Sequence, residues 1–461
     1  MSSRGALSAL LSLALVGCHP VPRGSSPGSS LAHPAAPDAG PSAPSTDAPE
    51  AAPAPPPAPP PPPPPPPDAH ALLRGLTPEG MSLVLVTVDT LRWDLHYAGN
   101  PRELSPNLDA LAARGVVFDR AYALSSYTGR SIGPLLAGRY PTECPNSMGH
   151  FTQYYGANVM LAERLRDAGL VTLGAASHSY FRMGYGLPQG ISHWDYSAHP
   201  PDDTDMHVTD DLVTDRALSL LHRYASRGQR YYLWVHYIDP HPEYLWHGDQ
   251  PSFGNGNRAR YDGEVRFTDR QFGRLLAGVR GLPGGERTAV VVTADHGELF
   301  QEHGISRHGR ELWENLVRVP WIFAVPGLEP RHVTTPRGHI DLVPTVLELL
   351  RVPAPAPGTL HGVSLAGDLV GLNDPPRPVL MDLPEGPLNT PRRAVLDDEW
   401  KLILRPGGPE LYHLTEDPGE LRDLRASEPA QRRRLEGLLG TLTEGFRGPW
   451  RRASAGSSAR R

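Results

Sequence analysis

The sequence predicts an α/β protein: a doubly wound, mainly parallel sheet with helices on both faces, plus a smaller C-terminal antiparallel α+β subdomain. Five apolar runs are rich in β-branched residues and do not alternate with polar residues. Such continuous runs are typical of strands buried on both faces, as in a parallel sheet. Amphipathic helical segments lie between these runs, and a chain that alternates strand and helix favours a layered α/β core.

The five strand runs cover residues 82–88, 170–176, 231–237, 288–294 and 320–325. The helical patterns cover residues 105–116, 158–169, 261–280 and 341–350. The first helix has Ser105 as a candidate N-cap and Pro106 at the first helical position, where proline is well tolerated. We therefore assign residues 76–370 to the main α/β domain.

The pattern changes after about residue 375. Four short strand-like pieces, "RPVLMDL", "PRRAVLDD", "WKLILRP" and "PELYHL", are followed by a charged helical stretch near residues 428–445. Short strands close together in the chain favour antiparallel pairing. Residues 371–450 are thus predicted to form the small-sheet subdomain, and the basic residues 451–461 a flexible tail.

The N-terminal sequence is typical of a targeting segment followed by a tether. Residues 1–18 contain one Arg, a short apolar run and then Cys18, which is typical of a secretory signal. The ending "LVGC" resembles a bacterial lipobox, so we expect a lipid on Cys18 and a place in the cell envelope. Ordinary secretion is the alternative. Residues 19–75 are dominated by Pro and Ala, and this composition predicts a disordered, extended spacer.

Charge and cysteine content exclude some classes. The formal net charge is −6 and no basic stripe is present, so nucleic acid is not an expected partner. Only two cysteines occur, and lipidation of Cys18 would leave Cys144 unpaired. Disulfides are therefore not expected to stabilise the fold.

Polar residues follow two of the strand runs directly. Asp89 ends the first run, and Asp295 and His296 end the fourth. Ligands bind at the C-terminal ends of strands in open α/β sheets, and buried carboxylates need a partner. The three residues together predict a divalent metal site, whereas either Asp alone could simply cap the following turn.

Further histidines lie in two loops. "ADHGELFQEHGISRHG" contains His303 and His308, and "WVHYIDPHPEY" contains His236 and His241. Histidines in a glycine-bearing loop suit anion binding or acid–base chemistry. His303 is equally well explained as a surface residue, and His236, on a strand, as a buried one.

Seven blocks resemble the sulfatase family of the alkaline phosphatase superfamily, in family order from about Ser82 to about Leu424. They are "VLVTVDTLRWDLHYAG", "LSPNLDALAARGVVFDRAYALSS", "LLAGRYPT", "YIDPHPEY", "YDGEVRFTDRQFGRLL", "TADHGELFQEHG" and "ELYHLTEDPGELRDL". The resemblance implies hydrolysis of sulfate or phosphate esters through a covalent intermediate. It implies that Asp89, Asp295 and His296 are metal ligands, and that His241 and His308 contact the anion or leaving group.

Thr128 falls at the nucleophile position of the family, and there the sequence departs from it. Family members carry Cys or Ser, then Pro at the third and Arg at the fifth position, the signature for conversion to formylglycine. Residues 128–132 read Thr-Gly-Arg-Ser-Ile, so formylglycine is not expected. A threonine hydroxyl can instead be activated by a metal. Arg130 could bind sulfate or phosphate oxygens, and Pro134 suggests that the helix begins only near Ile132–Pro134.

These residues predict a hydrolase that binds an anionic ester and one divalent ion (Mn, Zn or Ca), with Thr128 as nucleophile and additional metal contact. Two alternatives stay open at this point. One is a transferase that passes a phospho-headgroup to an envelope acceptor from the same threonine. The other is a sulfatase-like protein that binds anionic polysaccharide without turnover.

Overall fold

A computed structural model describes residues 67–202, 206–248, 252–387 and 389–446. The predicted signal segment with Cys18, most of the predicted tether, and the tail 451–461 lie outside the described residues. Within the described ranges, no helix is both long and apolar enough to cross a bilayer.

The strands bear the labels β1 to β15 in chain order. They are β1 Ser82–Val88, β2 Val116–Phe118, β3 Ala121–Tyr122, β4 Val171–Ala175, β5 His193–Asp195, β6 Tyr231–Tyr237, β7 Thr288–Ala294, β8 Arg318–Val319, β9 Trp321–Ala324, β10 Arg331–Val333, β11 Arg337–Gly338, β12 Val379–Leu383, β13 Arg392–Asp397, β14 Trp400–Leu404 and β15 Glu410–His413.

The α-helices are α1 Ala69–Leu76, α2 Pro106–Ala112, α3 Thr128–Ala137, α4 Leu161–Asp167, α5 Asp210–Tyr224, α6 Asn257–Arg280, α7 Glu314–Val317, α8 Leu342–Leu349, α9 Ala366–Val370 and α10 Pro429–Leu442. Short 3₁₀ turns occupy His96–Ala98, Pro141–Glu143, Ser179–Phe181, Met183–Tyr185, Gly285–Arg287 and His339–Asp341.

The main sheet has eight strands in the order β10-β2-β9-β7-β1-β6-β4-β5. Its neighbours pair in parallel except β9, which is antiparallel to both β7 and β2. Every residue of β1, β6 and β7 is buried, because helices cover the sheet; α5, for example, packs on β4 and β6. This arrangement confirms the predicted mainly parallel α/β core.

The C-terminal part forms a separate antiparallel sheet in the order β12-β13-β14-β15. Helix α10 packs on β13 and β14, and the apolar side chains between them form a second, small core. The predicted small-sheet subdomain and its charged helix are both present. A further three-stranded sheet, β11-β3-β8, is made of two-residue strands too short to carry a sequence signal.

Two local expectations were wrong. Helix α1 lies inside the segment expected to be tether, so ordered structure begins before residue 75; buried Leu73 anchors it against the core. Helix α3 begins at Thr128, not near Ile132–Pro134, and it contains Pro134 in its interior. All ten residues of α3 are buried, so tertiary packing outweighs the local cost of the proline.

Candidate active site and metal centre

The register of the central strands brings two carboxylates together. Val88 of β1 pairs with Ala294 of β7, so the next residues, Asp89 and Asp295, leave the sheet side by side. The backbone of Asp89 continues the ladder on the other side by donating to the carbonyl of Tyr237 at 2.8 Å. Both carboxylates are buried, with 1% and 0% of their surface exposed.

Asp89, Asp295 and His296 form a cluster whose ligand atoms all lie within 4.8 Å of one another. Among the described residues this is the one such group of three or more. Asp89 Oδ1 and Asp295 Oδ2 are buried and have no hydrogen-bond partner. Orphaned buried carboxylate oxygens are costly, and two of them beside an imidazole fit a divalent cation.

The two carboxyl groups respond differently to their surroundings. Burial and the charge of Asp89 raise the pKa of Asp295 well above its ordinary value. Burial also opposes ionisation of Asp89, but the surrounding imidazoles of His236, His241 and His296 lower the pKa of Asp89 overall. Two adjacent buried carboxylates resist joint ionisation, and a cation between them would remove that conflict.

The tautomer of His296 is fixed by the backbone. Its Nδ1 lies 2.9 Å from the carbonyl oxygen of Gly297, which can only accept, so Nδ1 carries the proton. Nε2 therefore turns its lone pair towards the carboxylates and Thr128. Burial and the nearby charge of His308 lower the pKa of His296 to about 3, which keeps the ring neutral, the form that ligates a metal.

Thr128 joins this cluster. It is the first residue of α3, and its Oγ1 lies 3.2 Å from Asp89 Oδ2 and 3.2 Å from His296 Nε2. Its side chain is 2% exposed. Tyr127 precedes it without a side-chain cap, so no capping side chain pairs with the N–H groups of the first helical turn.

A cavity of about 350 Å³ opens above Thr128. Its wall combines aromatic rings, histidines, two arginines and small polar residues. The lining residues are Tyr127, Thr128, His150, Phe151, His178, Tyr180, His241, Pro242, Ser306, Arg307, His308, Gly309, Arg310, Pro387 and Asn389. Thr128 and the two predicted anion-contacting histidines therefore share this cavity, and Thr128 connects it to Asp89 and His296 of the cluster.

His241 and His308 are both oriented by acceptors at Nδ1. His241 Nδ1 lies 2.7 Å from the carbonyl oxygen of Pro242, and His308 Nδ1 lies 3.2 Å from Glu298 Oε2. Glu298 also accepts a 2.9 Å bond from Tyr244, and these partners lower its pKa despite burial. In both imidazoles Nδ1 is the donor, which leaves Nε2 as the atom for acid–base chemistry.

His236 lies inside strand β6, and it is also close to the metal cluster. Trp234 Nε1 donates to Thr87 Oγ1 at 3.0 Å, and that hydroxyl lies 2.8 Å from His236 Nδ1. A hydroxyl that accepts from the indole can donate its own proton to Nδ1, which places the imidazole proton on Nε2. His236 Nε2 is 3.5 Å from Asp89 Oδ2, so this chain orients a donor at a proposed metal ligand.

Two sequence-derived candidates are not brought into the cavity. Arg130 is 1% exposed and is not among the residues that line the space above Thr128; its Nη1 donates to Asn146 Oδ1 at 2.6 Å, and its Nε and Nη2 are buried without a hydrogen-bond partner among the described residues. The direct bond from Arg130 to substrate oxygens stays a prediction. His303 stacks on Trp313, with ring centroids 3.9 Å apart, as a structural histidine would.

Several site residues escaped sequence reasoning. Glu298 stands two positions after His296, and its proximity to the metal motif was the one available signal. Phe151, His178 and Tyr180 come from loops without any motif, and only the fold brings them to Thr128. Their role could not be read from the chain because it depends on the packing of distant segments.

Comparison with known proteins agrees with this architecture. The family model described as Sulfatase matches residues 82–352, more than half of the chain. The chain belongs to the sulfatase family. This sulfatase is 25% identical over 406 residues to the uncharacterized sulfatase YidJ of Escherichia coli K12, a match that covers 71% of the present chain and 79% of that protein.

A second relative and a structural neighbour differ in what their names state. A delta 4,5-hexuronate-2-O-sulfatase of Bacteroides thetaiotaomicron is 29% identical over 182 residues, or 37% of each chain. The crystal structure of a phosphonate monoester hydrolase of Agrobacterium radiobacter superposes with a TM-score of 0.66 at 17% identity, covering 80% of this sulfatase and 96% of that chain. The fold is thus shared by proteins named for sulfur and for phosphorus chemistry, and this sulfatase is a member of a family of ester hydrolases.

Proposed function

We propose that this sulfatase is a metal-dependent hydrolase that cleaves sulfate or phosphate esters through a covalent intermediate on Thr128. One observation carries the proposal: Thr128 Oγ1 lies 3.2 Å from both Asp89 Oδ2 and His296 Nε2, at the floor of a cavity. A buried hydroxyl placed among metal-type ligands has the surroundings that make threonine a nucleophile.

Asp89, Asp295 and His296, with Thr128 beside them, would hold the cation. A bound divalent ion supplies Lewis acidity, which lowers the pKa of a contacting hydroxyl and stabilises negative charge on ester oxygens. The ligand set of two carboxylates and an imidazole favours manganese or zinc over calcium, which prefers oxygen ligands alone.

The chain's own residues account for the two half-reactions. In the first, Thr128 Oγ1 bonds to sulfur or phosphorus, its proton passes to Asp89 Oδ2, and the ester bond to the leaving oxygen breaks. His241 or His308 gives the leaving oxygen its proton. In the second, water attacks the same sulfur or phosphorus, one of these histidines takes the water proton, and the Thr128 oxygen leaves and takes back the proton held on Asp89 Oδ2.

Aryl ester hydrolysis tests the proposal. The purified protein is stripped of metal, reloaded with Mn²⁺, Zn²⁺ or Ca²⁺, and assayed on 4-nitrophenyl sulfate, 4-nitrophenyl phosphate, an aryl phosphodiester and an aryl phosphonate. We expect metal-dependent release of nitrophenol that is lost in Thr128→Ala. Metal binding without turnover of any ester would instead favour the non-catalytic, anion-binding alternative.

The headgroup transferase differs only in the acceptor that attacks the Thr128 adduct. Incubation with envelope lipids and analysis of the products by mass spectrometry separates the two. Free sulfate or phosphate indicates hydrolysis, and a modified lipid indicates transfer.

We further propose that the mature protein is held in the cell envelope by a lipid on Cys18. The support is the sequence alone, since residues 1–66 lie outside the described ranges. Metabolic labelling with a fatty acid should mark the wild-type protein and not Cys18→Ala. A wild-type protein that is secreted without label would contradict the anchor.

A further inference from the structure

The cavity above Thr128 extends well beyond the reacting group, so its outer wall must contact the rest of the substrate. One side of that wall is aromatic: Phe151 lies against Tyr180 and His150, with ring centroids 5.1 Å and 4.8 Å apart. Phe151 is 36% exposed and lines the cavity, so part of its ring is available to a ligand. Such a wall suits the flat face of a cyclic group.

The lining of the cavity also carries charge of one sign. None of the described residues that line the cavity is acidic, whereas Arg307 and Arg310 both line it, and four histidines are spread around it. Cationic groups in the outer lining favour anions over neutral molecules there, whereas the carboxylates of Asp89, Asp295 and Glu298 lie behind the inner part. One sulfate or phosphate at Thr128 does not account for the two exposed arginines.

The two arginines are not equivalent. Arg307 Nη2 pairs with Glu243 Oε1 at 2.5 Å, so its charge is already offset. Arg310 is exposed and makes no ion pair or hydrogen bond with any described residue. Its guanidinium is therefore available to a ligand, and its planar donor fork fits a carboxylate or a sulfate.

A backbone turn at Gly309 positions the main chain of Arg310. Gly309 adopts a left-handed conformation with φ of 84°, and this turn separates inward-facing His308 from Arg310 at the rim. A Cβ on Gly309 would meet Tyr127 Cδ2 at 3.2 Å, so the turn packs closely on the residue before Thr128. Arg310 therefore follows a turn that packs against the N-terminal end of α3.

We propose that Arg310 binds a second negative group on the substrate, so that the natural substrate is an ester carrying a further anion, a carboxylate or another sulfate, on the cyclic group next to the cleaved bond. The inference rests on the proposed function, because it assumes that the ester is cleaved at Thr128. It adds that the leaving group carries a negative charge of its own. The hexuronate sulfatase named above is a relative whose named substrate combines a carboxylate with a sulfate.

A matched pair of esters tests this assignment: 4-nitrophenyl sulfate and its ring-carboxylated derivative, or the corresponding phosphate pair. We expect wild type to prefer the carboxylated ester in kcat/KM by roughly 10-fold, the size of one charge-assisted hydrogen bond. Arg310→Ala should bring that ratio close to one, mainly through KM, and Arg310→Lys should keep part of it. Arg307→Ala is the matched control, and there the ratio should persist.

Binding provides a second readout that needs no turnover. Calorimetric titration with a sulfated uronate, made in the Thr128→Ala background so that the ester is not cleaved, should give a Kd about 10-fold weaker when Arg310→Ala is added than when no further change or Arg307→Ala is added. Equal Kd values, an unchanged kcat/KM ratio in Arg310→Ala, or a wild type with no preference for the added charge would overturn the assignment. Binding that depends on Arg310 in a protein without esterase activity would contradict the proposed function and leave this inference standing.

Discussion

Thr128 Oγ1 donates to Asp89 Oδ2 across 3.2 Å, although the two residues are 39 positions apart in the chain. The relationship follows from two independent features of the fold. β1 delivers Asp89 to the end of the sheet, and α3 begins at Thr128 directly opposite. A hydroxyl and a proposed metal ligand are thus preorganised as a pair, which is the condition for nucleophilic catalysis by a weakly acidic alcohol.

Replacement of Thr128 tests this pair. Thr128→Ala removes the hydroxyl that lies beside Asp89 and His296 and should lower kcat by about 1000-fold or more, because the proposed covalent adduct can no longer form on this residue. Thr128→Ser keeps the hydroxyl and should retain a measurable part of the activity. Circular dichroism of all three proteins should be the same. Near-normal turnover by Thr128→Ala would remove Thr128 from the mechanism.

The chain from Trp234 through Thr87 to His236 should control metal affinity. Thr87→Val breaks the hydrogen bond to His236 Nδ1 and frees the ring to turn from Asp89, so we expect metal affinity to fall about 10-fold by calorimetry. Thr293→Val is the matched control, since Thr293 pairs with Thr87 in the sheet but bonds to His339 and Pro320. Equal losses of metal affinity in both variants would indicate a general packing effect.

We expect Asp295 to lower the stability of the metal-free protein and to be required for metal binding. In metal-free protein, Asp295→Asn removes a buried carboxyl group whose raised pKa reflects burial and the charge of Asp89. We expect the metal-free Tm of Asp295→Asn to equal that of wild type or to exceed it by up to a few degrees, which corresponds to about 1 kcal/mol in the free energy of unfolding. Addition of Mn²⁺ or Zn²⁺ should raise the Tm of wild type and should leave the Tm of Asp295→Asn unchanged. A metal-induced gain preserved in Asp295→Asn would exclude Asp295 as a ligand.

The contact between the small sheet and the main domain should make stability depend on pH. Lys401 Nζ, fully buried, lies 2.9 Å from both Glu314 Oε1 and Glu420 Oε1. Burial raises the pKa of Glu420 from 4.5 to about 7. The charge of Lys401 lowers this pKa and the charge of Glu314 raises it, so the attraction to Lys401 does not cancel the effect of burial. Folded protein then holds this proton more tightly than unfolded protein, so stability falls as pH rises between those values.

Urea unfolding across that pH window measures the effect. Glu420→Gln should lessen the fall in the free energy of unfolding, because its side chain no longer titrates. Some slope should remain, since burial also raises the pKa of Asp239 to about 7. Glu416→Gln, at an exposed surface pair with Arg422, is the control and should keep the wild-type slope. A slope unaffected by Glu420→Gln would contradict this account.

Much of the fold and half of the site were accessible from sequence. The runs at 82–88, 231–237 and 288–294 became β1, β6 and β7 with the predicted bounds, because burial on both faces leaves an unmistakable apolar signature. Asp89, Asp295 and His296 could be found because strand ends mark one edge of the sheet. Pro134 misled the prediction for α3, since local propensity cannot register that every residue of that helix is buried.

What sequence could not supply is long-range pairing. The bond between His308 and Glu298 and the chain that reaches Asp89 through His236 depend on which side chains face each other after folding. The same holds for Arg130, which stands two residues from Thr128 yet donates to Asn146. Residues close in sequence on a helix can point to different sides, so neighbourhood to a nucleophile does not predict contact with its substrate.

Covalent trapping tests the central claim most directly. The metal-loaded protein is mixed with excess aryl ester, quenched in acid during turnover, digested and analysed by mass spectrometry. The account predicts a sulfo or phospho group on the peptide that contains Thr128, absent from Thr128→Ala and from protein without substrate. Sustained turnover by wild type with the group on another residue, or with no adduct and full activity in Thr128→Ala, would contradict it.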